Sequence, residues 1–246
     1  MGARPLERFS APALRRCRLA AMNIRRGQTV VAAALMFCAI SSRSVAEAPT
    51  PDFENSLRLL LESRLGTLSA EAAPLFVQGS LFGCTIDYAV LATDGVYRGG
   101  GYMFVSGSLG FVVGQRGVAV TLKVVVRDID LSTGQLTLGN VRAAYLVGAD
   151  YQTTEGTRIL NSPSDVPGSL FSMFALDPAF DIVTGGLAAD NITIAFTREG
   201  GDTGVLVTVE PSVESTSRDG RRTRSSRTTE AFLDCSKRLV ESDMPR

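Results

Sequence analysis

Between residues 118 and 127 the side chains alternate strictly, and that alternation constrains the fold more than any other feature of the chain. Val118, Val120, Leu122, Val124 and Val126 fall on one side, and Ala119, Thr121, Lys123, Val125 and Arg127 on the other. A period of two is the signature of a strand, because successive side chains point to opposite faces of the pleat. The same period governs Cys84, Ile86, Tyr88 and Val90, then Met103, Val105, Leu109 and Phe111, and later Ile192, Ile194, Phe196 and Val205, Val207, Val209. One apolar and one mixed face is the pattern of an antiparallel sheet. Ser132-Thr133-Gly134 reads as a turn, so residues 117–147 read as one hairpin.

Two helices flank the strands. Thr50 and Pro51 open a segment, residues 49–66, in which Phe53, Leu57, Leu60, Leu61 and Leu65 form one helical stripe, stopped by Gly66. Residues 229–242 place Phe232, Leu233, Leu239 and Val240 on the apolar side of a last helix, with Cys235 nearby. Before it, residues 214–228 carry Arg218, Arg221, Arg222, Arg224 and Arg227 and read as either a basic hairpin turning at Asp219-Gly220 or a flexible linker. The expected fold is mainly β: an antiparallel sheet or partly closed barrel with flanking N- and C-terminal helices, all within one domain over residues 49–246.

Residues 1–48 have a different character. They hold eight of the 25 basic residues and two of the 25 acidic ones, so the remainder carries a net charge of −6. Arg25-Arg26, the apolar run Val30 to Ile40 and Ala46-Glu47-Ala48 are the three parts of a secretory signal peptide, cleaved before Pro49. An apolar run of that length rises only ~16 Å as a helix, too short for a ~30 Å hydrocarbon core. Met22 offers an alternative translation start with a more compact signal. Export to the periplasm or beyond is therefore expected, with no transmembrane segment after cleavage. The acidic remainder argues against a nucleic-acid partner or an anionic membrane surface.

Cleavage leaves two cysteines, Cys84 and Cys235. Cys84 shares a strand face with Ile86 and Tyr88, and Cys235 lies on a helix that must bury Phe232 and Leu239. Docking one on the other brings the sulfurs together, and a disulfide is expected in an oxidising compartment.

The chain has no histidine, which removes Ser-His-Asp and Cys-His catalysis and His-ligated metals. It contains no phosphate loop, dinucleotide fingerprint or nucleophile elbow, and Gly99-Gly100-Gly101 reads as a bulge or tight corner between strands. No catalytic residue, metal site or cofactor is assigned. Carboxylates alone remain. Asp128 and Asp130 share a strand face and would serve as an acid–base pair or calcium ligands, or, more plainly, lie solvated beside a turn; Asp177 and Asp181 stand under the same alternatives. Asn191-Ile192-Thr193 matches a glycosylation sequon without further support.

Residues 161–190 break the alternation. Pro163, Pro167 and Pro178 punctuate a segment holding Phe171, Met173, Phe174, Phe180 and Ile182, read as an apolar insertion with short helical turns over an open end or edge of the sheet. These five are the candidate ligand-binding residues; the plainer alternative is that they complete the core. The expected function is a non-catalytic binding or structural protein of the cell envelope. The alternatives are a carrier for an apolar small molecule or lipid and a carboxylate-dependent hydrolase. The partner, an apolar ligand or an envelope protein, is not specified by the residues.

Overall fold

The computed structural model describes residues 51–114 and 117–243; the signal peptide, its cleavage site, the Met22 start and the Thr50 cap lie outside them. Helix α1 (Pro51–Ser63) leads into four long strands, β1 (Gly66–Val77), β2 (Ser80–Asp94), β3 (Gly101–Gly114) and β4 (Gly117–Ile129). Then come β5 (Leu136–Gly139), β6 (Val141–Val147), a 3₁₀ turn at Glu155–Thr157, β7 (Arg158–Pro163), β8 (Leu170–Ala175) and α2 (Leu176–Ala188). The chain closes with β9 (Ile192–Arg198), β10 (Val205–Val209), β11 (Val213–Thr216), β12 (Arg222–Arg224) and α3 (Arg227–Asp243). The seven-stranded sheet runs β1-β2-β3-β4-β8-β7, with β5 added on β4; a three-stranded sheet runs β10-β9-β6, and β11 pairs with β12. All the pairings are antiparallel. The main sheet ends on two edges, β1 and β7, so the open-sheet alternative holds and the described strands close no barrel.

The inner face of the large sheet is the one the alternation marked. Ile86, Met103, Val105, Leu109, Val120, Leu122, Val124 and Val126 are each fully buried. They pack in one cluster with Leu146, Ile194, Phe196 and Val209 of the small sheet, Val183 of α2, and Phe232 and Leu239 of α3. A void large enough for water would leave its lining accessible, so this space is filled with side chains. Each such Val, Leu or Ile contributes roughly 1.5–3 kcal/mol relative to exposure. Tyr88 joins the core by lying over Gly107, its registered partner on β3, and donating its hydroxyl to the Lys123 carbonyl of β4 at 2.9 Å. A Cβ at residue 107 would fall 1.8 Å from that carbonyl oxygen, which explains the glycine.

The two terminal helices pack on opposite faces. Helix α1 lays Leu57 and Leu61 on the outer face, against Leu91, Tyr102 and Ile129, and the Tyr102 hydroxyl donates to Glu62 at 3.0 Å. Helix α3 docks on the inner face, with the Phe232 ring packed at a tilt against Phe111, 5.3 Å between ring centroids. The expected disulfide joins Cys84 of β2 to Cys235 of α3, with Cα atoms 5.9 Å apart, and among the described residues no helix is long and apolar enough to cross a membrane.

Two sequence expectations need correction. The 117–147 hairpin holds only from Val126, opposite Gly139, to Ile129, opposite Leu136. The N-terminal half of β4, Ala119 to Val124, pairs instead with β8, and β6 crosses to pair with β9. Alternation fixes which face a residue takes but not which strand lies beside it. The 161–190 segment is no insertion: β8 runs inside the sheet between β4 and β7. Leu170, Ser172 and Phe174 point to the core, and Phe171 and Met173 to the other face. With apolar residues on both faces, the period of two is masked. The 214–228 segment contains the β11–β12 hairpin, whose Arg224 pairs with Glu210 at 2.9 Å and Asp190 at 3.2 Å.

Candidate functional site

The five candidate ligand residues do not converge. Phe174 is sealed in the core. Phe171 and Met173 sit on the outer face, opposite Lys123 and Thr121 of β4. Ile182 lies on the buried side of α2 and lines a surface cleft, whereas Phe180, 43% exposed, faces a separate apolar recess.

The cleft lies between α2, the 147–151 turn and the start of β9, with a volume of about 440 Å³. Gly148, Gly185 and Gly186 line it, and Asp150, Tyr151, Asp181 and Asn191 supply its polar groups. Loss of hydration raises the Tyr151 phenol above its ordinary pKa, helped by Asp181 and then by Asp177 and Asp150. The arrangement is rich in hydrogen-bond acceptors, but the described residues hold no group of three or more His, Cys, Asp or Glu positioned to share a metal ion.

The second polar constellation is a buried ion network where the two sheets meet, and it overturns the solvated reading of Asp128. Arg198, the last residue of β9, grips Asp128 of β4 with both guanidinium ends, at 2.8 and 2.9 Å. Its Nε lies 2.9 Å from Asp94 at the end of β2. Arg98, from the β2–β3 loop, reaches Asp128 at 2.8 Å. Asp94 is fully buried and also accepts the backbone N–H groups of Val96 and Tyr97. Gly139 leaves room for the guanidinium, since a Cβ there would stand 2.7 Å from it. Burial works to raise the Asp128 pKa, but hydrogen bonds and charge from Arg198, then Arg98, hold it below the ordinary carboxylate value. Two acids and two arginines balance, so the network is a tie between sheets. Asp130, by contrast, is exposed and accepts from Ser132 in the β4–β5 turn. The two acids share no cleft.

The third feature is apolar, and the sequence reading did not single it out. The β1–β2 turn, the paired ends of β3 and β4 (Gly114 opposite Gly117), the β8–α2 junction and the C-terminal half of α3 gather at one end of the large sheet. There Phe76 is 62% exposed and Val77 51%, with Leu75, Phe82, Leu176, Phe180 and Val240 also exposed. Phe111, Val118, Leu176, Phe180 and Val240 enclose a wholly apolar recess of about 100 Å³. The signal was present as Leu75-Phe76-Val77 and Leu81-Phe82 on either side of Gln78-Gly79, where the alternation lapses into unbroken apolar runs. Set against known proteins, the chain matches no family model, no curated protein and no solved structure.

Proposed function

We propose that this is an exported, non-catalytic binding protein of the cell envelope, periplasmic or secreted, that works through the apolar end of its large sheet. The observation that carries the reading is the exposure of Leu75, Phe76, Val77, Phe82, Leu176, Phe180 and Val240 at that end. Contiguous apolar surface in a water-facing protein marks a place where something binds. A disulfide fits a chain that folds outside the reducing cytoplasm. A carrier of an apolar ligand has less support, because the inner face of the sheet is filled, the wholly apolar recess of about 100 Å³ is well below the roughly 300–1,000 Å³ of small-molecule sites, and the cleft of about 440 Å³ is edged by Asp150, Asp181 and Asn191.

The test is fractionation of a Gram-negative host producing the full chain. The expected result is a processed, disulfide-bonded protein recovered with the envelope membranes, and release of a folded Phe76→Ser/Phe82→Ser variant into the soluble periplasm. Recovery from the cytosol with reduced thiols, or identical partitioning of both proteins, would overturn the proposal.

A further inference from the structure

The β1–β2 hairpin ends in an unusual tip. No charged residue occurs between Glu71 and Asp87, and the strands pair up to their last residues, Val77 opposite Ser80. Gln78 and Gly79 turn the chain with φ of 51° and 83°, the doubly left-handed geometry of a tight two-residue hairpin turn. The tip is exposed at every residue from Pro74 to Ser80, and a Cβ built on Gly79 meets nothing within 4 Å. Leu75 faces Gly83 while Phe76 faces Leu81, so Phe82 is the extra residue of a β-bulge that re-aims side chains at the tip. Two residues further along, the Cys84–Cys235 bridge fastens the hairpin to α3.

We infer that this tip is a wedge for the interfacial region of an uncharged lipid bilayer, with Phe76, Val77 and Phe82 entering the headgroup–acyl boundary. The inference rests on reading the apolar end as the binding surface, and it names the partner. Lipid admits apolar side chains but penalises unpaired backbone and charge. The paired, uncharged tip meets both conditions, leaving only the Gln78-Gly79 turn for the headgroups. A protein partner would have to offer a groove shaped to a convex tip, whereas the lipid boundary deforms around it. The charge balance selects the lipid class. The charges around this end, Asp177, Lys237, Arg238 and Glu241, are of both signs, so it presents no basic patch to draw anionic headgroups. Attachment is therefore apolar in origin and indifferent to salt.

Flotation of the purified, oxidised protein with protein-free phosphatidylcholine vesicles tests this. Wild type is expected to float with the vesicles. Adding anionic lipid should not increase its share, and raising the salt should not reduce it. Phe76→Ser/Phe82→Ser should weaken partitioning about a hundredfold, the combined effect of withdrawing two large apolar side chains from lipid. Gln78→Asp separates insertion from folding: Asp-Gly suits this turn at least as well as Gln-Gly, so the variant should stay folded yet lose binding. Leu206→Ser, which removes an exposed leucine from β10, should bind as wild type. Failure of wild type to float, full binding by Gln78→Asp, or binding only to anionic vesicles at low salt would overturn the inference. Envelope retention that depends on Phe76 and Phe82 without any vesicle binding would overturn the lipid partner alone and leave the proposed function standing.

Discussion

Replacing Arg198 by Met isolates the energetics of the buried ion network. The side chain is 10% exposed, and its partners Asp94 and Asp128 are 0% and 9% exposed. Methionine keeps most of the apolar stem but leaves buried Asp128 with Arg98, itself 39% exposed, and Asp94 with the N–H groups of Val96 and Tyr97. Removing one member of a buried pair and stranding the other typically costs about 3–5 kcal/mol. At roughly 2–4 °C per kcal/mol for a domain of this size, the midpoint of thermal unfolding should fall by about 6–20 °C. Asp128→Asn should cost less, because Arg198 keeps Asp94. The acid limb gives an independent readout. Asp128 titrates below its ordinary value in the folded protein. Its contribution is therefore complete above the unfolded pKa of about 4 and is lost as the pH falls through the lower folded value. Denaturant unfolding of Arg198→Met across pH 2 to 7 (roughly the window bracketing both values) should show a flatter acid limb than wild type. A loss under about 1 kcal/mol at neutral pH, or an unchanged acid limb, would refute the view that this network ties the sheets together.

Other perturbations probe the rest of the fold. Replacing both Cys84 and Cys235 by Ala opens a loop of 151 residues and should cost up to about 5 kcal/mol in chemical unfolding of the non-reduced protein; stability equal to wild type would argue against the bridge. Phe174→Ala should cost about 3–5 kcal/mol, as for other sealed core aromatics, while Phe180→Ala on the exposed end should cost less than about 1 kcal/mol, both read by urea titration. Gly107→Ala forces a Cβ to 1.8 Å from the Lys123 oxygen and 2.8 Å from the Tyr88 hydroxyl; a loss of about 1–3 kcal/mol is expected, with a perturbed Tyr88 signal in near-ultraviolet circular dichroism.

What the sequence made legible was whatever local periodicity encodes. The apolar faces of β2, β3 and β4 followed from alternation alone, and the Cys84–Cys235 bridge followed from the faces on which the two cysteines sit. Strand partners did not, because β6 carries a face pattern that suits β4 and β9 equally. Strand β8 was hidden because Phe171 and Met173 are as apolar as Leu170 and Phe174 on its other face. The ion network was hidden for a different reason: Asp128 and Arg198, its central pair, lie 70 residues apart, on two sheets. A trace existed, since Asp128 continues the buried face of Val124 and Val126, and Arg198 continues that of Ile194 and Phe196. Opposite charges that both prolong apolar faces would have pointed to each other. The apolar end had no periodicity to reveal it, because a protruding tip is defined by what does not cover it.

The claim that the protein binds through this end meets its most direct test in a single indole placed there. The chain contains no tryptophan, so Phe76→Trp provides an isolated fluorescent reporter on the hairpin tip, and Leu206→Trp a matched reporter on an exposed position of β10. On addition of phosphatidylcholine vesicles, the indole at position 76 should shift to shorter wavelength and be quenched by lipids brominated near the headgroup, while the one at position 206 stays water-like. Unchanged emission at position 76, or equal shifts at both positions, would contradict the account.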